Sequence, residues 1–277
     1  MRKKLLILII PFIGICFQSI AQGDLLITPT RVVFEGNKQK EELNLVNIGK
    51  DTAIYSISFI QYNMKEDGSF VTIEKPDSGQ MFADPFLRIF PRKVTLAPRE
   101  PQVIALQCRR KQEMLPGEYR SHLYFRAEKN IKPLGSKEAE GDTTALKVEL
   151  IPIYGLSIPI IIRSGVVNVN STLSDLNIEN RQDTSIFLKL ALNRTGNISV
   201  YGDFVVEYTP AQGKSYEIGR LKGVGVYTNI NKRNVNIRLN KTPGTSLKNG
   251  KLKVQYISNE ENKKINVYAE AELEIKN

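Results

Sequence analysis

Residues 145–163 read ALKVELIPIYGLSIPIIIR. Every even position is apolar: Leu146, Val148, Leu150, Pro152, Tyr154, Leu156, Ile158, Ile160 and Ile162. Odd positions mix Lys147, Glu149 and Ser157 with Ile151, Ile153 and Ile161. A period of two is that of a strand, whose side chains point alternately to the two faces of a sheet. Pro152 and Pro159 lack the N–H that a central strand donates, which favours an edge or a bulge. A long apolar edge invites aggregation unless something covers it. Proteins that keep one often use it to take up a strand of another chain. A kinked core strand shared by two sandwiches is the other reading, and this stretch alone leaves both open.

The same period runs outward in both directions. Tyr55, Ile57 and Phe59 alternate with Ser56 and Ser58; Val235, Ile237 and Leu239 with Asn234, Asn236 and Arg238; Ala269, Ala271, Leu273 and Ile275 with glutamates. Such strands give one face to a core and one to water, as antiparallel sheets do. Turn residues punctuate them, among them Asp67-Gly68, Gly196-Asn197 and Asn249-Gly250, the last with the chemistry of a two-residue hairpin. The expected fold is therefore all-β, with two sandwiches of about seven strands each. RSGVVNVN, residues 163–170, is the expected join, giving domains at 22–163 and 164–277. The most loop-like stretch, residues 128–144, is charged and glycine-containing and lies just before the long strand.

Residues 1–21 stand apart. Arg2, Lys3 and Lys4 precede an apolar run from Leu5 to Phe17, and Ser19-Ile20-Ala21 is a small-x-small site. This is the order of a secretory signal peptide cut between Ala21 and Gln22, and it predicts an exported, periplasmic protein. Without the leader, 36 Lys and Arg face 29 acids, a balance of +7. The cations are dispersed along the strands, which suits a solvated surface and no nucleic-acid partner. Cys108 alone remains in the mature chain and shares its parity with Ile104 and Leu106. A buried structural thiol is the expected state.

Catalytic patterns are missing. The one histidine, His122 in SHLYFRA, falls opposite Leu123 and Phe125 on the expected polar face and has no metal-ligand partner in sequence. There is no G-x-S-x-G, phosphate loop or G-x-G-x-x-G. We expect no enzyme activity, no metal, no cofactor and no small-molecule substrate.

Residues 27–49, ITPTRVVFEGNKQKEELNLVNIG, place Arg31 inside an otherwise apolar strand. Composition alone makes it a solvated arginine beside Thr28 and Thr30. The segment also resembles the first two strands of the bacterial periplasmic pilus or fimbrial assembly chaperones (PapD-like), with an arginine in the first strand and an asparagine, here Asn47, ending the second. DPFLRIFPRKVTLAPREPQVIALQCRR (84–110), LPGEYRSHLYFRAE (115–128) and the long strand to Arg163 are similar to that family's later strands, in order and spacing. The resemblance covers Leu25 to Arg163.

The resemblance implies two immunoglobulin-like sandwiches set at an angle. It also implies donor-strand complementation, in which the seventh strand fills the gap in an incomplete surface subunit. Arg31 then anchors the subunit's terminal carboxylate, and Val148, Leu150, Pro152 and Tyr154 form the subunit-binding edge. Arg163 and Arg120 fall at the inter-domain contact. The partners implied are a pilus or other surface-protein subunit and an outer-membrane usher. The chain departs from the pattern in two places: the family's clamp lysine falls on Pro159, and its sixth-strand acid on Arg120, with Glu118 two residues earlier. An immunoglobulin-like structural or adhesion module of the cell envelope is the alternative.

Overall fold

The computed structural model describes residues 24–110, 113–128, 154–180, 185–240, 247, 249–258 and 265–275. The expected signal peptide, most of the 128–144 loop, and Val148, Leu150 and Pro152 lie outside the described residues. Within them the chain is all-β, interrupted by one 3-10 turn at Asp84–Phe86.

The first sandwich comprises β1 (Leu25–Thr28), β2 (Val32–Phe34), β3 (Lys40–Asn47), β4 (Ala53–Met64), β5 (Phe70–Ile73), β6 (Leu87–Phe90), β7 (Lys93–Leu96), β8 (Pro101–Cys108), β9 (Gly117–Glu128) and β10 (Gly155–Ser164). The second comprises β11 (Val169–Asn180), β12 (Ile186–Gly196), β13 (Val200–Pro210), β14 (Tyr216–Val226), β15 (Lys232–Leu239), β16 (Gly250–Ser258) and β17 (Val267–Ile275). In the first, a sheet ordered β1-β3-β8-β6 faces one ordered β2-β10-β9-β4-β5, with β7 also on β4. In the second, β11-β12-β15 faces β14-β13-β16-β17. Each sandwich closes over its own apolar cluster, the first around Phe34, Leu43, Leu123 and Phe125, the second around Leu188, Phe204, Tyr208 and Tyr256. Cys108 is buried in the first cluster.

Ten described strands precede residue 165, where about seven were expected. Two stretches that look single in sequence change sheets midway. β1 pairs with β3 and β2 with β10, with Pro29 between them; β6 pairs with β8 and β7 with β4, with Pro91 between them. Each proline falls where the chain leaves one ladder, so its missing N–H costs no ladder bond. Asn249-Gly250 is also no hairpin turn: β15 and β16 lie in different sheets, and β16 pairs with β13 and β17. Asn249 has φ of 52°, the conformation expected of a turn asparagine, but the connection crosses the sandwich. Asn47 ends β3 as its sequence suggested. Its buried Nδ2 donates to the carbonyls of Asp51 and Leu96 at 2.8 and 2.9 Å, and its Oδ1 accepts from Gly49 N.

Strand β10 is placed by its own alternation. Ile158, Ile160 and Ile162 are in the core. The antiparallel ladder with β9 runs the whole strand, from Gly155 opposite Arg126 to Ser164 opposite Gly117. On its other side β2 pairs, in parallel, only with Ile160, Ile161 and Ile162. From Gly155 to Pro159 that side carries no partner strand among the described residues.

The sandwiches meet through the outer face of β9 and through the β4–β5 hairpin. The carbonyl of Glu66 accepts from Asn234 N at 2.7 Å. Asn229 Nδ2 donates to Asn63 Oδ1 and to the Met64 carbonyl at 2.9 and 2.7 Å. Gly68, at φ of 85°, lies under the Arg233 guanidinium, where an added Cβ would come within 2.3 Å of Nη2. Glycine serves twice here, in the turn and in the close approach.

Candidate functional site: a cationic cleft at the end of an open strand edge

Glu118, Arg120 and His122 alternate along β9 on the face away from the first core. The sequence assigns that face to water. The structure buries all three residues, Glu118 and His122 at 1% and 4% exposure and Arg120 at 12% by side chain, because the second sandwich covers it.

Glu118 and Arg120 are the centre of the contact. Glu118 Oε1 accepts from Arg120 Nε at 3.0 Å and Nη2 at 2.6 Å. Its Oε2 accepts from the backbone N of Ser199 at 3.0 Å and from Ser199 Oγ at 2.7 Å. Arg120 Nη2 also donates to Ser199 Oγ, and its guanidinium stacks 3.8 Å above the Tyr227 ring. Burial alone would raise the Glu118 carboxyl, but Arg120 and the Ser199 hydrogen bonds hold it below the usual carboxylate range. For Arg120, burial is outweighed by Glu118, and its pKa is raised. The sequence singled out Arg120 but not Ser199 or Tyr227. On the second-sandwich side a buried arginine, Arg194, organises the facing loops. It donates to the carbonyls of Gly196, Ile198, Thr228 and Ile230 and to Asn231 Oδ1. These loops carry Asn197, Ser199 and Tyr227 to the contact.

His122, expected on a solvated face, has its Nε2 3.0 Å from the Tyr227 hydroxyl and its ring edge-on to Tyr62 at 4.8 Å. Burial, and then the positive charge of Arg120, lower its pKa to about 3. The folded protein therefore holds it neutral, whereas the unfolded chain protonates near the ordinary value of 6.5. The unfolded state binds more protons throughout that window, so stability falls as pH drops from 6.5 towards 3. From about pH 7 to about pH 5 the expected loss is about 2 kcal/mol. Urea denaturation at the two pH values reads it, and His122→Phe is expected to remove that loss. An unchanged pH dependence in His122→Phe contradicts the assignment.

Arg31 lies between β1 and β2, at the sheet switch. It is half-buried, its guanidinium 4.6 Å from the centre of the Tyr201 ring of the second sandwich. Burial first, then the like charge of Arg120, lower its pKa; Glu118 offsets this in part and Arg163 adds to it. Its buried Nε has no hydrogen-bond partner. The expectation of a largely hydrated arginine is thus corrected: Tyr201 and the second sandwich take its water away. Arg163 forms an ion pair with Glu35 at 3.1 Å, a contact within the first sandwich and not across to the second. Glu118 is thereby engaged by Arg120 and Glu35 by Arg163. No salt bridge involves Arg31 among the described residues, which leaves the cleft with an excess of positive charge at Arg31.

The open edge and this cation adjoin. Val32, next to Arg31, is opposite Ile160, where the open part of β10 ends. Tyr154 and Leu156, 56% and 40% exposed, continue the parity of Ile158 past the reach of their own core. A strand laid on this edge with its C-terminus at Arg31 would run parallel to β10. Its last carboxylate would meet a guanidinium that has no acid partner. Of the sequence-derived edge residues, Tyr154 alone lies among the described residues.

This is an architecture of two β-sandwiches with a basic cleft between them, and solved chaperone structures are similar to it in fold. The YadV chaperone matches over 91% of this chain and 100% of its own, at 12% identity and a TM-score of 0.46. The CsuC–CsuE chaperone–tip adhesion subunit pre-assembly complex from archaic chaperone-usher Csu pili of Acinetobacter baumannii matches over 89% and 99%, at 15% identity and 0.44. The Pseudomonas aeruginosa CupB2 chaperone matches over 90% and 100%, at 10% identity and 0.44. No family model and no curated protein matches the sequence.

Proposed function

We propose that this chain is a periplasmic chaperone for pilus, fimbrial or other surface-protein subunits. Residues 22–163 are its chaperone-type domain and 164–277 its second domain. The subunit adds a strand to the open edge of β10 and its extension towards Ala145, in donor-strand complementation, and its terminal carboxylate binds Arg31. Export with cleavage after Ala21 and hand-over to an outer-membrane usher belong to the same reading. No nucleic acid, cofactor or small-molecule substrate enters it.

The observation that carries the reading is the coincidence of two unmet needs. Among the described residues, the edge of β10 from Gly155 to Pro159 has no partner strand, and it ends beside a half-buried cation that forms no salt bridge. An added strand satisfies the first by main-chain hydrogen bonds, with register set by side-chain parity. A carboxylate satisfies the second by a charge-assisted hydrogen bond. Pro159, in place of a lysine, removes one cation from the site, so Arg31 is its principal donor.

Val148, Leu150, Pro152 and Tyr154 form the binding face in this reading. Leu150→Asp would force a carboxylate into an apolar groove, an expensive burial. It is expected to abolish subunit capture on co-purification while leaving thermal unfolding of the free protein nearly unchanged. Unimpaired capture contradicts the reading; a large fall in melting temperature places Leu150 in the protein's own core instead.

A further inference from the structure

We propose that the second sandwich completes the anion site through Tyr201, a positioning residue that holds the Arg31 guanidinium flat with its donor edge free. The inference rests on the carboxylate reading given above and adds to it a role for the second sandwich.

Tyr201 is itself seated with little freedom. It is on β13, opposite Gly225 of β14. A Cβ on Gly225 would meet its Cδ2 at 3.5 Å, and one on Gly223 would meet its hydroxyl at 3.1 Å. The ring thus lies along a glycine strip that a larger residue at 223 would crowd. Gly223 stands at φ of 71°, in a conformation that favours glycine. Two residues before Tyr201, Ser199 is fixed by Glu118, so the inter-sandwich lock also sets the position of the ring.

Stacking is also what Arg31 has in place of hydrogen bonds. A guanidinium held face-on to a ring keeps its N–H groups in the plane, pointing away from the ring, where a carboxylate can accept two of them. Tyr201 is 37% exposed and Arg31 half-buried, so the pair borders solvent, with the Nε of Arg31 on its buried side. The arrangement makes the site a product of both sandwiches, although the cation belongs to the first.

The test uses the whole mature chain and follows the Arg31 Nε–Hε resonance by NMR. Sodium acetate is the minimal carboxylate probe, acetamide the neutral control and sodium chloride the control for ionic strength. Wild type and Tyr201→Phe are expected to give the same saturable acetate shift and none with acetamide. Tyr201→Leu, which fills space but has no ring, is expected to weaken acetate binding about three- to thirty-fold. Acetate binding to Tyr201→Leu at wild-type strength overturns the inference and leaves the carboxylate reading standing. So does equal weakening in Tyr201→Phe, which would assign the effect to the hydroxyl. A wild type with no acetate shift beyond that of chloride removes the carboxylate reading and this inference with it.

Discussion

Glu118→Ala is expected to destabilise the protein by about 3–5 kcal/mol, the cost typical of removing one partner from a buried ion pair. The side chain is wholly buried, and all of its hydrogen bonds are made to Arg120 and Ser199. Its loss strands the largely buried Arg120 guanidinium without its carboxylate and leaves the Ser199 N–H without its acceptor. An unpaired buried charge costs far more than the pair contributes over an apolar replacement. The double variant Glu118→Leu, Arg120→Met should therefore recover most of the loss. Chemical denaturation of the three proteins measures both effects. A loss below about 1 kcal/mol in Glu118→Ala would show that the contact is solvated in solution. The pH dependence has a matching sign. The folded carboxyl lies below its ordinary 4.5, so its stabilisation is complete above that value and is lost as pH falls through the folded pKa.

Arg31→Ala is expected to act on binding rather than on folding. In the free protein Arg31 has its stacking on Tyr201, but it is desolvated, has an orphaned Nε and lies near two further arginines. Removing it relieves repulsion and desolvation while forfeiting one cation–π contact, so these contributions oppose each other. Stability should stay within about 1 kcal/mol of wild type. A bound carboxylate changes the balance, because it supplies the counter-charge that the cleft lacks. A charge-assisted hydrogen bond to it is worth about 1.5–3 kcal/mol, so the subunit should bind the variant about ten- to a hundred-fold more weakly.

Alternation made the two sandwiches legible from the sequence, because each strand keeps one face for its core. It also gave Ile158, Ile160 and Ile162 their places and left Tyr154 and Leu156, of the same parity, outside the core. What alternation cannot report is which polar face a neighbouring sandwich will cover. His122 has the parity its sequence suggests, yet it is buried, because Tyr227, more than a hundred residues away, closes over it. Glu118 was visible only as an acid two residues before Arg120; its partner Ser199 carries no sequence signal of a contact. The strand count failed for a related reason. Pro29 and Pro91 mark breaks, but the change of sheet at each is fixed by pairing with strands distant in sequence. Arg31 was conspicuous as an arginine among apolar residues. Its stacking partner Tyr201, on the other sandwich, was not.

Titration of the purified surface subunit, with and without its terminal carboxylate, against wild type and Arg31→Ala tests the central claim most directly. The account predicts that wild type binds the intact subunit about ten- to a hundred-fold more tightly than either the Arg31→Ala variant or the carboxylate-free subunit allows, and that combining the two changes adds little further loss. Equal binding of both subunit forms by both proteins would contradict it and return Arg31 to the role of a stacked structural arginine.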